Sequence, residues 1–141
     1  MDTYIVLDIE TTGISPQFEE ITEIGAARVS DGQVIETFGE LVNPGKSIPA
    51  NIVVLTGITD QMVANAPGIS EVMPRFIEFC GDLPILGHNV AFDYSFLKTA
   101  AKKLGLTFEK SGLDTMVLTR TFLERQRSYS LSNLILAMGI H

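Results

Sequence analysis

Tyr4-Ile5-Val6-Leu7 is a continuous apolar run that passes directly into Asp8-Ile9-Glu10-Thr11-Thr12-Gly13. An unbroken run, rather than alternation, is the pattern of a strand covered on both faces. The fold must therefore supply a layer on each side of this segment. The strand also ends in two carboxylates, so its end is polar where its body is dry.

The rest of the chain reads as one domain, residues 1–141, with no repeat, linker or low-complexity tract to divide it. A β-hairpin is expected where Ile24 to Val29 and Val34 to Val42 flank Ser30-Asp31-Gly32-Gln33. The Asp-Gly pair suits the positive φ values of a tight turn. Pro44, Gly45 and Pro49 lead into irregular or short helical structure through about residue 65. Ser70 is read as the cap of a helix with Val72, Met73, Phe76, Ile77 and Cys80 on one face, Pro74 near its first turn and Gly81 at its end. Ile85-Leu86 reads as a second buried strand. Phe92, Phe96, Leu97, Ala100 and Leu104 form a helical stripe closed by Gly105. Asp114 and Ser130 are read as caps of two further helices. Antiparallel strands first, then helices alternating with strands, imply an α/β fold with a mixed sheet and helices packed on it.

Charge argues against nucleic acid at first sight: 17 acids against 10 bases give a net charge of -7. The distribution is uneven. Residues 1–97 hold 14 acids and 3 bases, whereas residues 98–141 hold 3 acids and 7 bases. The single cysteine, Cys80, excludes an intrachain disulfide and fits a reducing, cytoplasmic setting. No apolar run approaches the roughly 20 residues of a membrane span, and Met1-Asp2-Thr3 lacks the basic start of a signal peptide.

Two polar clusters carry chemistry. Asp8 and Glu10, at i and i+2 on a strand, project to the same side, where their mutual repulsion would be relieved by a cation. Hard oxygen ligands favour Mg²⁺ or Mn²⁺ over zinc. The second cluster is Gly87-His88-Asn89-Val90-Ala91-Phe92-Asp93, joining a strand end to a helix start. Asn89 can cap that helix, and Asp93 falls in its first turn, where the helix dipole favours an ionised carboxylate. Both residues thus have a purely structural account. The C-terminal ends of strands in an open α/β sheet nevertheless share a crevice in which Asp8, Glu10 and Asp93 could converge.

These residues carry a resemblance. Asp8-Ile9-Glu10-Thr11-Thr12-Gly13 resembles the first motif of the DnaQ-like 3′–5′ exonucleases, which have the ribonuclease H-like fold. His88-Asn89-x-x-Phe92-Asp93 resembles the second. Leu41-Val42-Asn43-Pro44 and Leu55-Thr56-Gly57-Ile58-Thr59 are similar to the bacterial proofreading branch, the DNA polymerase III epsilon and PolC exonuclease domains. The resemblance implies a mixed five-stranded sheet flanked by helices. It implies two Mg²⁺ or Mn²⁺ ions held by Asp8, Glu10 and Asp93, and two-metal hydrolysis of single-stranded DNA 3′ ends to nucleoside monophosphates, with RNA not separated from DNA. It also implies that Thr11, Thr12 and Ile14 hold the terminal nucleotide, with His88 and Phe92 lining the same pocket, and that DNA polymerase subunits are partners.

One part of the pattern is missing. The family's third motif is a His followed five residues later by a fourth Asp, and the sequence reaches Gly139-Ile140-His141 without it. The expectation is a domain incomplete at its C-terminus, with weak or absent hydrolysis by these 141 residues. Asp114 is a poor substitute for the fourth acid. A noncatalytic nucleotide- or nucleic-acid-binding module, or a polymerase-associated subunit, therefore stays open as the alternative. Gly45-Lys46-Ser47 resembles the end of a phosphate-binding loop, but Pro49 follows where a helix should begin. The acidity predicts weak intrinsic DNA affinity, with reliance on metal ions or a partner protein.

Overall fold

The computed structural model describes residues 3–110 and the backbone of 115–117. Strand β1 (Thr3–Thr11) lies at the centre of a five-stranded sheet ordered β3-β2-β1-β4-β5. β2 (Ile21–Ser30) and β3 (Gln33–Leu41) pair antiparallel, as do β1 and β2. β4 (Ile85–Gly87) pairs parallel with β1, and β5 (Thr115–Val117) parallel with β4. The sheet is mixed and five-stranded, as expected.

The apolar run behaves as its pattern requires. Ile5, Val6 and Leu7 are all fully buried, although neighbours on a strand point to opposite faces. Ile5, Leu7 and Ile9 join Ile24, Ala26 and residues of α3 (Ile69–Cys80) and α4 (Val90–Lys103) in one core. On the opposite face Val6, Ala27 and Val29 are equally inaccessible. Phe76 anchors the α3 side, edge-on to Phe38 at 5.4 Å between ring centroids. Cys80 is buried, and burial pushes its thiol up to about 12, which leaves it inert.

Asp31 (φ 52°) and Gly32 (φ 78°) both take positive φ in the hairpin turn, the geometry that an Asp-Gly pair favours. Beyond β3 lie two short helices, α1 (Ala50–Thr56) and α2 (Asp60–Val63), stapled by an Ile48, Ile58 and Val63 cluster. Pro49 precedes α1, and Lys46 pairs with Glu19 at 2.9 Å, so the phosphate-loop reading has no structure behind it.

Three expectations shift. Helix α3 starts at Ile69 with Gly68 as its N-cap, not Ser70. Gly68 accepts the first-turn amides of Glu71 and Val72 through its own carbonyl, so no side-chain cap is needed, and Pro74 falls inside the helix. Asn89 does precede α4, but its side chain makes no capping bond. Thr115–Val117, read as the start of a helix capped by Asp114, is strand: Met116 pairs with Leu86 and Val117 with Gly87. The β-branched Thr115 and Val117 suit that edge position. Asp114 itself, the helix expected after Ser130 and His141 lie outside the described residues.

Gly87 is where the sheet leaves least room. A Cβ there would sit 2.9 Å from the Leu7 carbonyl oxygen, a backbone atom that cannot yield. Gly87→Ala is expected to cost about 2 kcal/mol by pushing β4 off β1, measurable as a lower urea midpoint with an unchanged slope.

Candidate active site

The clusters at the ends of β1 and β4 meet in a cleft of about 970 Å³. β1 delivers Asp8 and Glu10 to one side of the sheet because they are two residues apart, while Ile9 turns into the core. β4 runs parallel beside β1, so the segment after it, His88 and Asn89, opens at the same end. α4 then begins at Val90 and brings Phe92 and Asp93 over the ends of both strands. Asp8, Glu10, Thr11, Ile14, His88, Phe92 and Asp93 all line the cleft. Thr12, the remaining expected site residue, does not line it.

Thr12 is instead part of the loop's frame. Its hydroxyl donates to Glu19 Oε1 at 2.8 Å and accepts from the Glu20 amide at 3.0 Å, and Lys46 Nζ holds the same Glu19 oxygen at 2.9 Å. Gly13 lies against that carboxylate; a Cβ there would come within 2.7 Å of Glu19 Cγ. Thr11 Oγ1 donates to the Gly13 carbonyl at 2.6 Å. The frame leaves Ile14 projecting, 86% exposed at the mouth of the cleft. Phe92 lines the cleft and also packs on Phe96 at 4.9 Å between centroids.

The electrostatics are those of crowded acids. Burial, then the Asp8 charge, push Asp93 up to about 8, against an opposing pull from the Ile9 backbone N–H that outweighs the further push from Glu10. Burial, then Glu10 and Glu23, push Asp8 up to about 7. Glu10 is raised by burial and by Glu23. The helix start thus fails to hold Asp93 low: at 3% exposure, desolvation and like charge outweigh the dipole. Burial lowers His88.

Cation binding fits this donor set. Asp93 Oδ2 is buried with no hydrogen-bond partner, and the acids around it raise rather than relieve one another. Among the described residues no three acid, His or Cys side chains form a ready-made metal cage. The side chains of Asp8 and Glu10 are only partly buried.

Several lining residues were not expected at the site from the sequence, among them Ile52, Leu55 and Glu23. Ile52 and Leu55 come from α1, and Leu55 is 80% exposed at the cleft. Glu23 comes from β2, directly opposite Glu10. Leu55 lies in the Leu-Thr-Gly-Ile stretch noted for its similarity, which signalled the segment without a role. No local signal marks Glu23.

A family model described as exonuclease, RNase_T, matches residues 5–140. The chain belongs to the DnaQ-like exonuclease family. It is 41% identical over 139 residues to a PolC-type DNA polymerase III of Thermotoga petrophila, covering 98% of this chain and 10% of that protein. It is 45% identical over 131 residues to the PolC-type polymerase of Caldanaerobacter subterraneus, covering 93% of this chain and 9% of that protein. The chain therefore spans about a tenth of the length of these relatives. Among solved structures, E. coli exonuclease I in complex with a 5cy-dA13 oligonucleotide superposes with a TM-score of 0.73 at 20% identity, over 100% of this chain and 37% of that one. A zinc-bound form of the E. coli exonuclease I–ssDNA complex gives 0.73 at 20%, over 100% and 36%. At that identity the likeness establishes the ribonuclease H-like exonuclease fold. No helix among the described residues is long and apolar enough to cross a membrane.

Proposed function

We propose that residues 1–141 form one exonuclease domain that removes nucleotides from single-stranded 3′ ends, in a proofreading setting beside a DNA polymerase. The observation that carries this reading is the convergence of Asp8, Glu10 and Asp93 on one cleft whose mouth bears two exposed apolar side chains, Ile14 and Leu55. Membership of the exonuclease family and the PolC-type relatives support it.

Asp8, Glu10 and Asp93 would hold two divalent cations, Mg²⁺ or Mn²⁺. Such ions activate water and stabilise the leaving oxygen in phosphodiester hydrolysis. This chain's own contribution is placement. Asp8 and Glu10 are fixed by a central strand, and Asp93 by the start of a 14-residue helix, so their spacing depends on the sheet rather than on a loop. The frame of Thr12, Glu19 and Lys46 holds Ile14 at one wall, and α1 holds Leu55 at another. Large apolar groups exposed at the lip of a polar cleft suit a nucleobase, which offers an apolar face and a charged phosphate. Thr11, His88 and Phe92 line the same space.

Labelled single strands test the reaction. A strand with a 5′ label should shorten by single nucleotides in Mg²⁺ or Mn²⁺ and stop with chelator. Internal cuts, removal from the 5′ end, or cleavage in chelator would contradict the proposal. Ile14→Ala and Leu55→Ala are each expected to raise KM about tenfold with kcat changed less, the loss of about 1.4 kcal/mol of apolar contact with the base.

A further inference from the structure

Strand register exposes a carboxylate that the expected ligands leave unexplained. Glu23 pairs with Glu10 across the β1–β2 ladder, and Asp8 pairs with Gly25 two positions away. Directly opposed residues share a face, so Glu23 stands on the same side of the sheet as Glu10 and Asp8, and it lines the same cleft. Like charges directly opposed in a ladder are destabilising. Nothing among the described residues offsets this one: the ion pairs there are Arg28–Glu36, Lys46–Glu19, Arg75–Glu40 and Lys98–Glu109, none of them at the cleft acids. The neighbour across the next ladder is Leu41, which offers no positive charge. Independently, Asp93 faces the cleft with Oδ2 buried and unpartnered. Four carboxylates with no Lys or Arg among the residues lining the cleft, where His88 is the one basic side chain, make a place that a divalent cation would stabilise.

We propose that Glu23 is a fourth carboxylate of the divalent-cation site, presented from β2 beside Glu10. This rests on Asp8, Glu10 and Asp93 being cation-binding, and it adds a group from a strand that the two family motifs do not contain. Glu23 strengthens the hold on the cation by sharing its charge with Glu10.

Calorimetric titration of the 141-residue chain with Mn²⁺ tests it, using wild type, Glu23→Gln, Asp8→Asn and Glu71→Gln, an exposed acid on α3 that serves as control. Glu23→Gln should weaken Mn²⁺ binding about tenfold, Glu23→Asp should recover part of that loss, and Glu71→Gln should match wild type. The melting temperature of metal-free Glu23→Gln should equal or exceed that of wild type, since a repulsive pair is removed. Affinity within twofold of wild type, together with loss in Asp8→Asn, would overturn the role of Glu23 while leaving the cation site standing. A lower metal-free melting temperature would also overturn it, by making Glu23 a structural residue. Wild type that binds no Mn²⁺ at millimolar concentration would overturn both readings.

Discussion

Asp8→Asn is expected to lower metal-dependent hydrolysis by at least ~10³-fold, about 4 kcal/mol of transition-state stabilisation, while making the metal-free protein more stable. The two effects have one cause. Asp8 is the acid that burial, Glu10 and Glu23 together disfavour as an anion, so an uncharged isostere relieves the fold. The same substitution removes one of the three carboxylates proposed to hold the cation. A melting temperature higher by about 4 °C, corresponding to roughly 1 kcal/mol, should accompany the loss of Mn²⁺ binding. A variant that is inactive and also less stable would point to simple misfolding. Asp93→Asn should show the same loss of cation binding, with a smaller gain in stability, because an amide in that buried position still lacks a partner for one of its groups.

The second large effect is on pH. In the unfolded chain both aspartates titrate near 4; in the fold Asp8 rises to about 7 and Asp93 to about 8. Between pH 4 and 8 the folded protein therefore holds more protons than the unfolded chain. Linkage makes metal-free stability fall as pH rises through that window, fully present below pH 4 and lost above pH 8. The two groups act on each other, so the total is on the order of 4 kcal/mol, less than the sum of two separate shifts. Mn²⁺ or Mg²⁺ should reverse the slope, because the cation binds the deprotonated pair. Urea denaturation at pH 5, 6.5 and 8, in chelator and in saturating metal, would measure this. A metal-free protein whose stability is flat or rises over that range would refute the burial of these acids.

Legibility in the sequence followed how local the cause was. The apolar run of β1, the alternation that puts Asp8 and Glu10 together, and the Asp31-Gly32 turn are set by residues adjacent in the chain, and all three read correctly. β5 did not, because three residues after an aspartate fit a helix start or a strand equally well in sequence, and only pairing with β4 decides between them. Glu23 was invisible for a similar reason. Its neighbour Glu10 is set by register across the β1–β2 ladder, next to a bulge between Glu10 and Thr11, and no spacing rule within β2 records that. Thr12 looked like a substrate residue by its place in the motif; its hydroxyl is taken by Glu19 and the Glu20 amide, partners seven and eight residues away. The elevated Asp93 also eluded sequence reasoning, since the helix dipole is readable from position whereas burial under β1 and β4 is not.

The charge balance takes on a narrower meaning in this light. Four of the 17 acids lie in one cleft and would turn from repelling to attracting a phosphate once cations bind. The remaining acids still weaken nonspecific attraction, so affinity for a strand should depend on metal more than on bulk charge.

The most direct measurement is a Mn²⁺ titration of the protein at pH 6.5 in two buffers of different ionisation heat. Asp93, raised to about 8, is protonated at that pH and Asp8, raised to about 7, partly so, and a cation entering between them must expel protons. Saturable binding with proton release, abolished by Asp8→Asn, is the expected result. Binding without proton release, or no binding, would contradict it.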